Sequence, residues 1–398
     1  MLRKGLPLEA ALDGAARELD RPDDRALAHA IAAEALRRLP DLDALIDRAT
    51  KKRLPADAKA RFVLRIALVQ ALTLGTPPHA AIATVLPLVE GGPRRLVHGV
   101  FGTVMRQGWA LPEVPTLPDV VAERWRRIWG PEVVAAAARL VAAPPPLDLA
   151  FAEDAPPPGL DGVSLLPGHL RLARSTAVAG LTGFAEGGWW VQDIAASVSA
   201  RLLGRGEGRR ALDLCAAPGG KTMQLAAAGW QVIALDASQS RLARLSENLA
   251  RTGLRAEIVA ADMMAWSPPE PVDAILLDAP CSATGIFRRH PDVLHRVRPA
   301  AIAELADLQK RMIARAAGWL KPGGSLVYSV CSLEPEEGEA VAEHFQATHS
   351  DFRPLPVAVG GLLSDTGPMR GKWMRILPGW FEAQGGADSF FIARFSRG

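Results

Sequence analysis

Apolar residues recur at helical spacing along the first third of the chain and gather into short dense runs in its second half. DRALAHAIAAEALRRL (24–39) and ADAKARFVLRIALVQALTLG (56–75) place apolar side chains three and four residues apart, which predicts amphipathic helices. The second closes at Gly75, with Pro77 and Pro78 behind it as a stop signal. HAAIATVLPLVE (79–90) and RRLVHGVFGTVMRQGW (94–109) predict two more. Residues 1–125 therefore read as an all-α domain. Pro144 to Pro146 and Pro156 to Pro158 mark an extended boundary. Residues 126–205 read as a linker and small α/β subdomain, with strand-like pieces GVSLL (162–166) and HLRLA (169–173).

From residue 206 the rhythm changes. ALDLCAA (211–217), QVIALDA (231–237), AEIVAAD (256–262) and VDAILLDAP (272–280) are short apolar runs that close on an acid or a turn. Helical patterns such as SRLARLSENLARTG (240–253) lie between them. Strands alternating with helices predict a parallel, doubly wound α/β domain over 206–398. A helix from about Ala301 to Leu320, a KPGG turn (321–324) and the strand SLVYSV (325–330) follow.

Composition narrows the class. Hydrophobic residues make up 49% of the 398, enough for ordinary cores. Apolar runs break before reaching membrane-spanning length. Glu9 and Asp13 interrupt what would be the apolar stretch of a signal peptide. Three cysteines argue against a disulfide framework and for a reducing, cytoplasmic setting. No His/Cys cluster has metal-ligand spacing, so no metal is expected. The net charge of +3 permits nucleic acid without demanding it.

Three motifs carry chemistry. In ALDLCAAPGGKT (211–222) a strand meets a Gly-rich turn and a helix start. Gly219 and Gly220 would let backbone approach a ligand, and free amides at the helix start would hold its polar groups. Asp236 ends the next strand, at a distance suited to ribose hydroxyls, and Asp262 follows the third. The series fits a nucleoside ligand; the loop is neither GxGxxG nor GxxxxGK. In LLDAPCSATGIFRRHPD (276–292) a strand ends at Asp278, and Cys281 sits in the turn beyond. Arg288, Arg289 and His290 either meet phosphate or form a solvated charge run. In SLVYSVCSLEPEEGE (325–339) Cys331 ends another strand at the same sheet edge. A thiolate adding to C6 of cytosine turns C5 into a carbon able to attack an activated methyl group. The C5 proton must then leave, and a second ionisable group assists. Residue chemistry alone does not rank the two cysteines. Trp189 and Trp190 read as core residues before they read as base-stacking platforms.

In this order, CAAPGGKT, DAPCSATG and CSLEPEE resemble the Sun/Nop family of RNA cytosine-C5 methyltransferases, in particular its RsmB/Sun-type branch. The helical front resembles that branch's NusB-like RNA-binding domain. WWVQDIAAS (189–197), RRHPDV (288–293) and DSFFIARF (388–395) match as well, so the likeness covers nearly the whole chain. The resemblance implies a Rossmann-like domain, S-adenosyl-L-methionine as cofactor, and RNA, ribosomal and of the small subunit, as partner. It implies that Cys215, Ala216, Ala217, Pro218, Gly219, Gly220 and Lys221 line the cofactor's methionine end. Asp236 would hold its ribose, Asp262 its adenine, and Asp278 would lie near the reacting methyl. It makes Cys331 the nucleophile and Cys281 the residue assisting release. The chain departs from the family at Val330, where Thr is usual, and at LDLAF (147–151), where the pattern resembles LRVN. The rival readings are a DNA cytosine methyltransferase, with Cys281 as nucleophile, and a non-catalytic RNA-binding or antitermination module.

Overall fold

The computed structural model describes residues 1–2, 5–152, 156, 159–173, 178–357, 369–370 and 372–398. The expected extended stretch at Pro157 and Pro158 lies outside them. The chain forms two compact units: residues 1–144 with 287–297, and residues 145–286 with 298–398.

The first unit is helical. Its main helices are α1 (Leu8–Ala15), α2 (Pro22–Arg37), α3 (Leu39–Ala49), α4 (Lys59–Leu72), α5 (Pro78–Val85), α6 (Gly91–Arg106), α7 (Asp119–Trp129) and α8 (Pro131–Val141). Helix α2 opens with Pro22, Asp23 and Asp24, which suit the amide-rich end of the helix dipole. The apolar stripe of α4, Val63, Leu64, Ala67 and Leu68, packs with Leu42 and Ile46 of α3 and Val97, Phe101 and Val104 of α6. Arg65 of α4 is buried because Asp43 takes it in a two-pronged pair, with both N–O distances 2.8 Å. Residues 287–297 return to this unit from far along the chain. Phe287 packs on Trp125 with ring centroids 5.6 Å apart. The Leu8 amide donates to Asp292 at 3.3 Å, and Arg37 donates to the Arg288 carbonyl at 2.6 Å.

The second unit opens with a small antiparallel sheet of β1 (Leu147–Ala150), β2 (His169–Leu172) and β3 (Trp190–Val191), with β1 central. HLRLA forms β2 as expected, whereas GVSLL contributes only a bridge from Val163 to Arg171. Asp148, within β1, is buried. It accepts from Arg171 Nε at 2.7 Å, Arg171 Nη2 at 2.8 Å and the Ile194 amide at 3.0 Å.

The large sheet follows: α9 (Ile194–Arg201), β4 (Arg210–Leu214), α10 (Gly220–Ala227), β5 (Gln231–Asp236), α11 (Gln239–Thr252), β6 (Glu257–Ala260) and β7 (Val272–Asp278). The chain visits the helical unit with α12 (Val293–Arg296), then returns through α13 (Pro299–Ala317), β8 (Leu320–Val330) and α14 (Glu339–Thr348). It ends with β9 (Phe352–Pro354), β10 (Met369–Arg370), β11 (Trp373–Ile376) and β12 (Phe390–Arg397). Strands β6-β5-β4-β7-β8 lie side by side and parallel, and β12 extends them antiparallel. Alternate residues serve opposite faces. Leu212, Ile275 and Leu277 pack in one core, Ala211, Ala274 and Leu276 in the other. Both faces are covered, which is why these strands read as unbroken apolar runs.

The KPGG segment is not a turn before the strand. It lies inside β8 as an irregularity, with Leu320 opposite Val272 and Ser325 opposite Ala274. Gly323 takes a φ of +77°, open to glycine at no steric penalty.

Candidate active site at the strand ends

The sheet order reverses between β4 and β7, the place where such sheets bind ligands. A cavity of about 540 Å³ opens there, of ordinary size for a small-molecule site. Cys215, Asp236, Asp262, Asp278, Cys281 and Cys331 all line it, each at or just beyond the carboxyl end of a strand. Met263, Met264, Leu308 and Met312 add apolar wall. A volume lined by three acids and by apolar side chains fits a nucleoside carrying a polar tail.

The Gly-rich loop stands behind this wall. Ala216 and Ala217 are buried against α11, Pro218 follows a cis peptide bond, and Lys221 is buried. Gly219 has a φ of +105°, and a Cβ on it would lie 2.9 Å from Leu245 Cγ. A Cβ on Gly220 would meet Gln192 at 3.3 Å. The glycines thus let the loop pack tightly on the protein's own side chains. Asp236 locks the loop, accepting the Ala217 amide at 3.2 Å and the Ser238 amide at 2.8 Å. Arg241, absent from the sequence reading, also lines the cavity and donates to the Ala217 carbonyl. Asp262 is exposed and accepts the Met264 amide at 2.8 Å.

Asp278 is fixed from two sides, by Lys221 Nζ at 2.6 Å and the Ser329 hydroxyl at 2.9 Å. Beneath it, burial pushes the Asp213 carboxyl up to about 7, and Thr222 donates to it at 2.5 Å. Burial and the nearby carboxylates of Asp278 and Asp236 push the Cys215 thiol up to about 12. Burial therefore favours the protonated Cys215 thiol, whose sulfur also packs against the sheet core.

The Sγ atoms of Cys281 and Cys331 lie 3.5 Å apart. Contact with Cys331, then burial and the nearby Glu337 charge, hold the Cys281 thiol well above the ordinary range. Val330, the departure from the family pattern, is fully buried in the apolar core. Ser329, one residue earlier, donates its hydroxyl to Asp278. One motif expectation changes. Arg288 is buried in the helical unit, so its side chain neither meets phosphate nor joins a solvated run; Arg289 is exposed. Trp189 and Trp190 are buried, their indole N–H groups donating to the Thr182 carbonyl and Gln192.

The sequence reading missed a buried polar hub made of Ser282, Ser332, Gln309 and Glu337. One signal was present: both cysteines are followed by serine. Among the described residues no group of three or more His, Cys, Asp or Glu could hold a metal, and no helix is long and apolar enough to cross a membrane.

The family description "16S rRNA methyltransferase RsmB/F" matches residues 200–396, and that of the NusB family matches residues 2–101. Ribosomal RNA small subunit methyltransferase B of Klebsiella pneumoniae is 35% identical over 405 residues, spanning 93% of this chain and 90% of that protein. Two solved structures share the fold. PH0851 has a TM-score of 0.75 at 22% identity, covering 95% of this chain and 91% of that one. NSun6 from Pyrococcus horikoshii, solved with SFG, has a TM-score of 0.61 at 19% identity, covering 70% and 98%. With its Rossmann-like sheet and NusB-like helical front, the chain belongs to the RsmB/RsmF family of S-adenosylmethionine-dependent rRNA cytosine-C5 methyltransferases.

Proposed function

We propose that this protein methylates C5 of a cytosine in small-subunit ribosomal RNA, with Cys331 as nucleophile and Cys281 assisting release. One observation supports the two cysteines as the reacting pair: their sulfurs are 3.5 Å apart on the wall of a cavity that Asp236, Asp262 and Asp278 also line, and the family resemblance supplies which of them attacks. S-adenosylmethionine supplies an electrophilic methyl group when bound. Asp236 would hold its ribose hydroxyls, Asp262 its adenine edge, and the Cys215 to Lys221 turn its methionine end.

The chain's own residues do the rest. Cys331 adds as thiolate to C6 of the base, forming a C–S bond and moving electron density to C5. C5 then accepts the methyl group. A base takes the C5 proton, the C5=C6 bond re-forms, and the C–S bond breaks to return the Cys331 thiolate. Cys281 is the neighbour for that last step. Contact with Cys331, then burial, favours the thiol form of Cys281 before the reaction. Asp278, held by Lys221 and Ser329, faces the same cavity as a fixed acceptor for an exocyclic N–H. The helical unit, which runs past the expected boundary at 125 to residue 144 and includes 287–297, would bind RNA, and residues 145–286 with 298–398 would carry the chemistry.

The test uses Cys281→Ala and Cys331→Ala with cofactor and small-subunit rRNA, naked and partly assembled, on denaturing gels. A covalent RNA adduct accumulates with Cys281→Ala and is absent with Cys331→Ala. The reverse pattern overturns the role assignment. Methylation of DNA in preference to RNA would overturn the substrate.

A further inference from the structure

The chemistry above uses two cysteines and gives no task to a buried acid beside them, Glu337. Glu337 sits beyond β8, just before α14, and is fully buried. Its Oε1 accepts the Ser282 amide at 2.8 Å and Gln309 Nε2 at 3.2 Å. Its Oε2 accepts the hydroxyls of Ser282 and Ser332, both at 2.5 Å. Ser282 follows Cys281 and Ser332 follows Cys331. One carboxylate thus grips the residue after each cysteine. Gln309 also donates to the carbonyl of Pro280, the residue before Cys281, at 2.8 Å. The Tyr328 hydroxyl holds the Glu337 carbonyl at 2.5 Å, so the acid's backbone is tied as firmly as its side chain.

The donor set identifies the species. Four donors converge on two oxygens, an arrangement that suits an acceptor carboxylate. Burial pushes Glu337 up from its ordinary value, and the serine and glutamine donors pull the other way. A buried charge is an expensive way to fill a core; apolar residues of similar volume do so at lower penalty. What apolar packing lacks is direction. The loops come from two different strands, and only directional bonds fix one against the other.

We propose that Glu337 is a positioning residue whose carboxylate clamps the Cys281 and Cys331 loops together, so that the two sulfurs stay at working distance. This rests on the reading of the two cysteines as the reacting pair. The clamp acts through the serines; Glu337 touches neither substrate nor cofactor in this role.

Two readouts test it, on the full-length protein carrying Glu337→Gln or Glu337→Ala, well below each variant's own melting midpoint. The first needs no methyl transfer. Diamide takes two electrons and two protons as the Cys281 and Cys331 thiols become a disulfide, followed by peptide mass mapping. We expect the disulfide to form about tenfold more slowly in Glu337→Gln, and more slowly still in Glu337→Ala, as the sulfurs lose their alignment. The second is steady-state methylation. We expect kcat to fall by about 10- to 100-fold, with KM for cofactor and RNA changing by less than about threefold. A merely structural Glu337 would lower the melting midpoint and leave the disulfide rate and kcat of the folded variants near wild type, which would overturn the clamp. If the wild type methylates no RNA yet the variants still slow disulfide formation, the clamp stands and the proposed function falls.

Discussion

Gly285→Ala is the sharpest single-atom probe of the site. Gly285 lies four residues beyond Cys281, in the turn that joins the two cysteine loops to β12. Its amide donates to the Cys331 carbonyl at 3.0 Å, and its carbonyl accepts the Ser389 amide at 2.9 Å. A Cβ at Gly285 would stand 2.1 Å from the Ser389 carbonyl oxygen and 2.9 Å from that of Cys331. Both neighbours are backbone and cannot rotate away. Relief to an ordinary contact distance requires a shift of about 1 Å, and displacements of that size near reacting groups lower rates by about a hundredfold. Overpacking adds a stability loss of about 1–3 kcal/mol, a fall in melting midpoint of about 2–12 °C for a unit of this size. Single-turnover methyl transfer with labelled cofactor, at a temperature where the variant is folded, reads the first effect. Calorimetry of cofactor binding supplies the control, because Asp236 and Asp262 lie on other strands and keep their places. A variant that transfers methyl within threefold of wild type would refute the argument that this turn sets the spacing of the cysteines.

Two further predictions follow from buried groups. Asp148→Asn leaves Arg171 buried without its counter-charge, an effect of about 3–5 kcal/mol, measurable as a lower urea midpoint. The Arg171 and His169 partners hold the Asp148 carboxyl well below its ordinary 3.8, despite burial, which acts the other way. The folded state thus binds this proton more weakly than the unfolded one. The carboxylate's contribution is full above about pH 4 and erodes as pH falls further, and Asp148→Asn should lack that component of acid sensitivity. Iodoacetamide at neutral pH, followed by mass mapping, should label Cys331 and spare Cys215, whose thiol is pushed up to about 12; rapid labelling of Cys215 would contradict its assignment as a packing residue.

The strands were legible because both sheet faces are covered, so Leu212, Ile275 and Leu276 leave no polar alternation to blur the runs. The strand-end residues followed from that, since Cys215, Asp236, Asp278 and Cys331 each end or follow a run. Helices α2 and α4 announced themselves by their stripes. The hub around Glu337 was not legible, because hydrogen-bond partners 28 and 55 residues away leave no periodic trace. The contacts that Gly219 and Gly220 relieve with Leu245 and Gln192 were not legible either, because only the fold brings those side chains near. Arg288 looked like a surface charge for the same reason. Its burial depends on helices more than a hundred residues upstream.

The return of residues 287–297 to the helical unit has a consequence for biosynthesis. The front helices are complete at Pro144, but Leu8, Arg37 and Trp125 find their partners Asp292, Arg288 and Phe287 roughly 150 residues later. At about 5–20 residues per second, translation leaves those groups waiting about 8–30 s. A fragment ending at Pro144 should therefore be less stable than the same helices in the whole chain. The last piece of the front unit is made only after the β7 loop with Cys281 has left the peptidyl-transferase centre. Order of synthesis thus puts the finishing of the helical unit after the first half of the catalytic sheet.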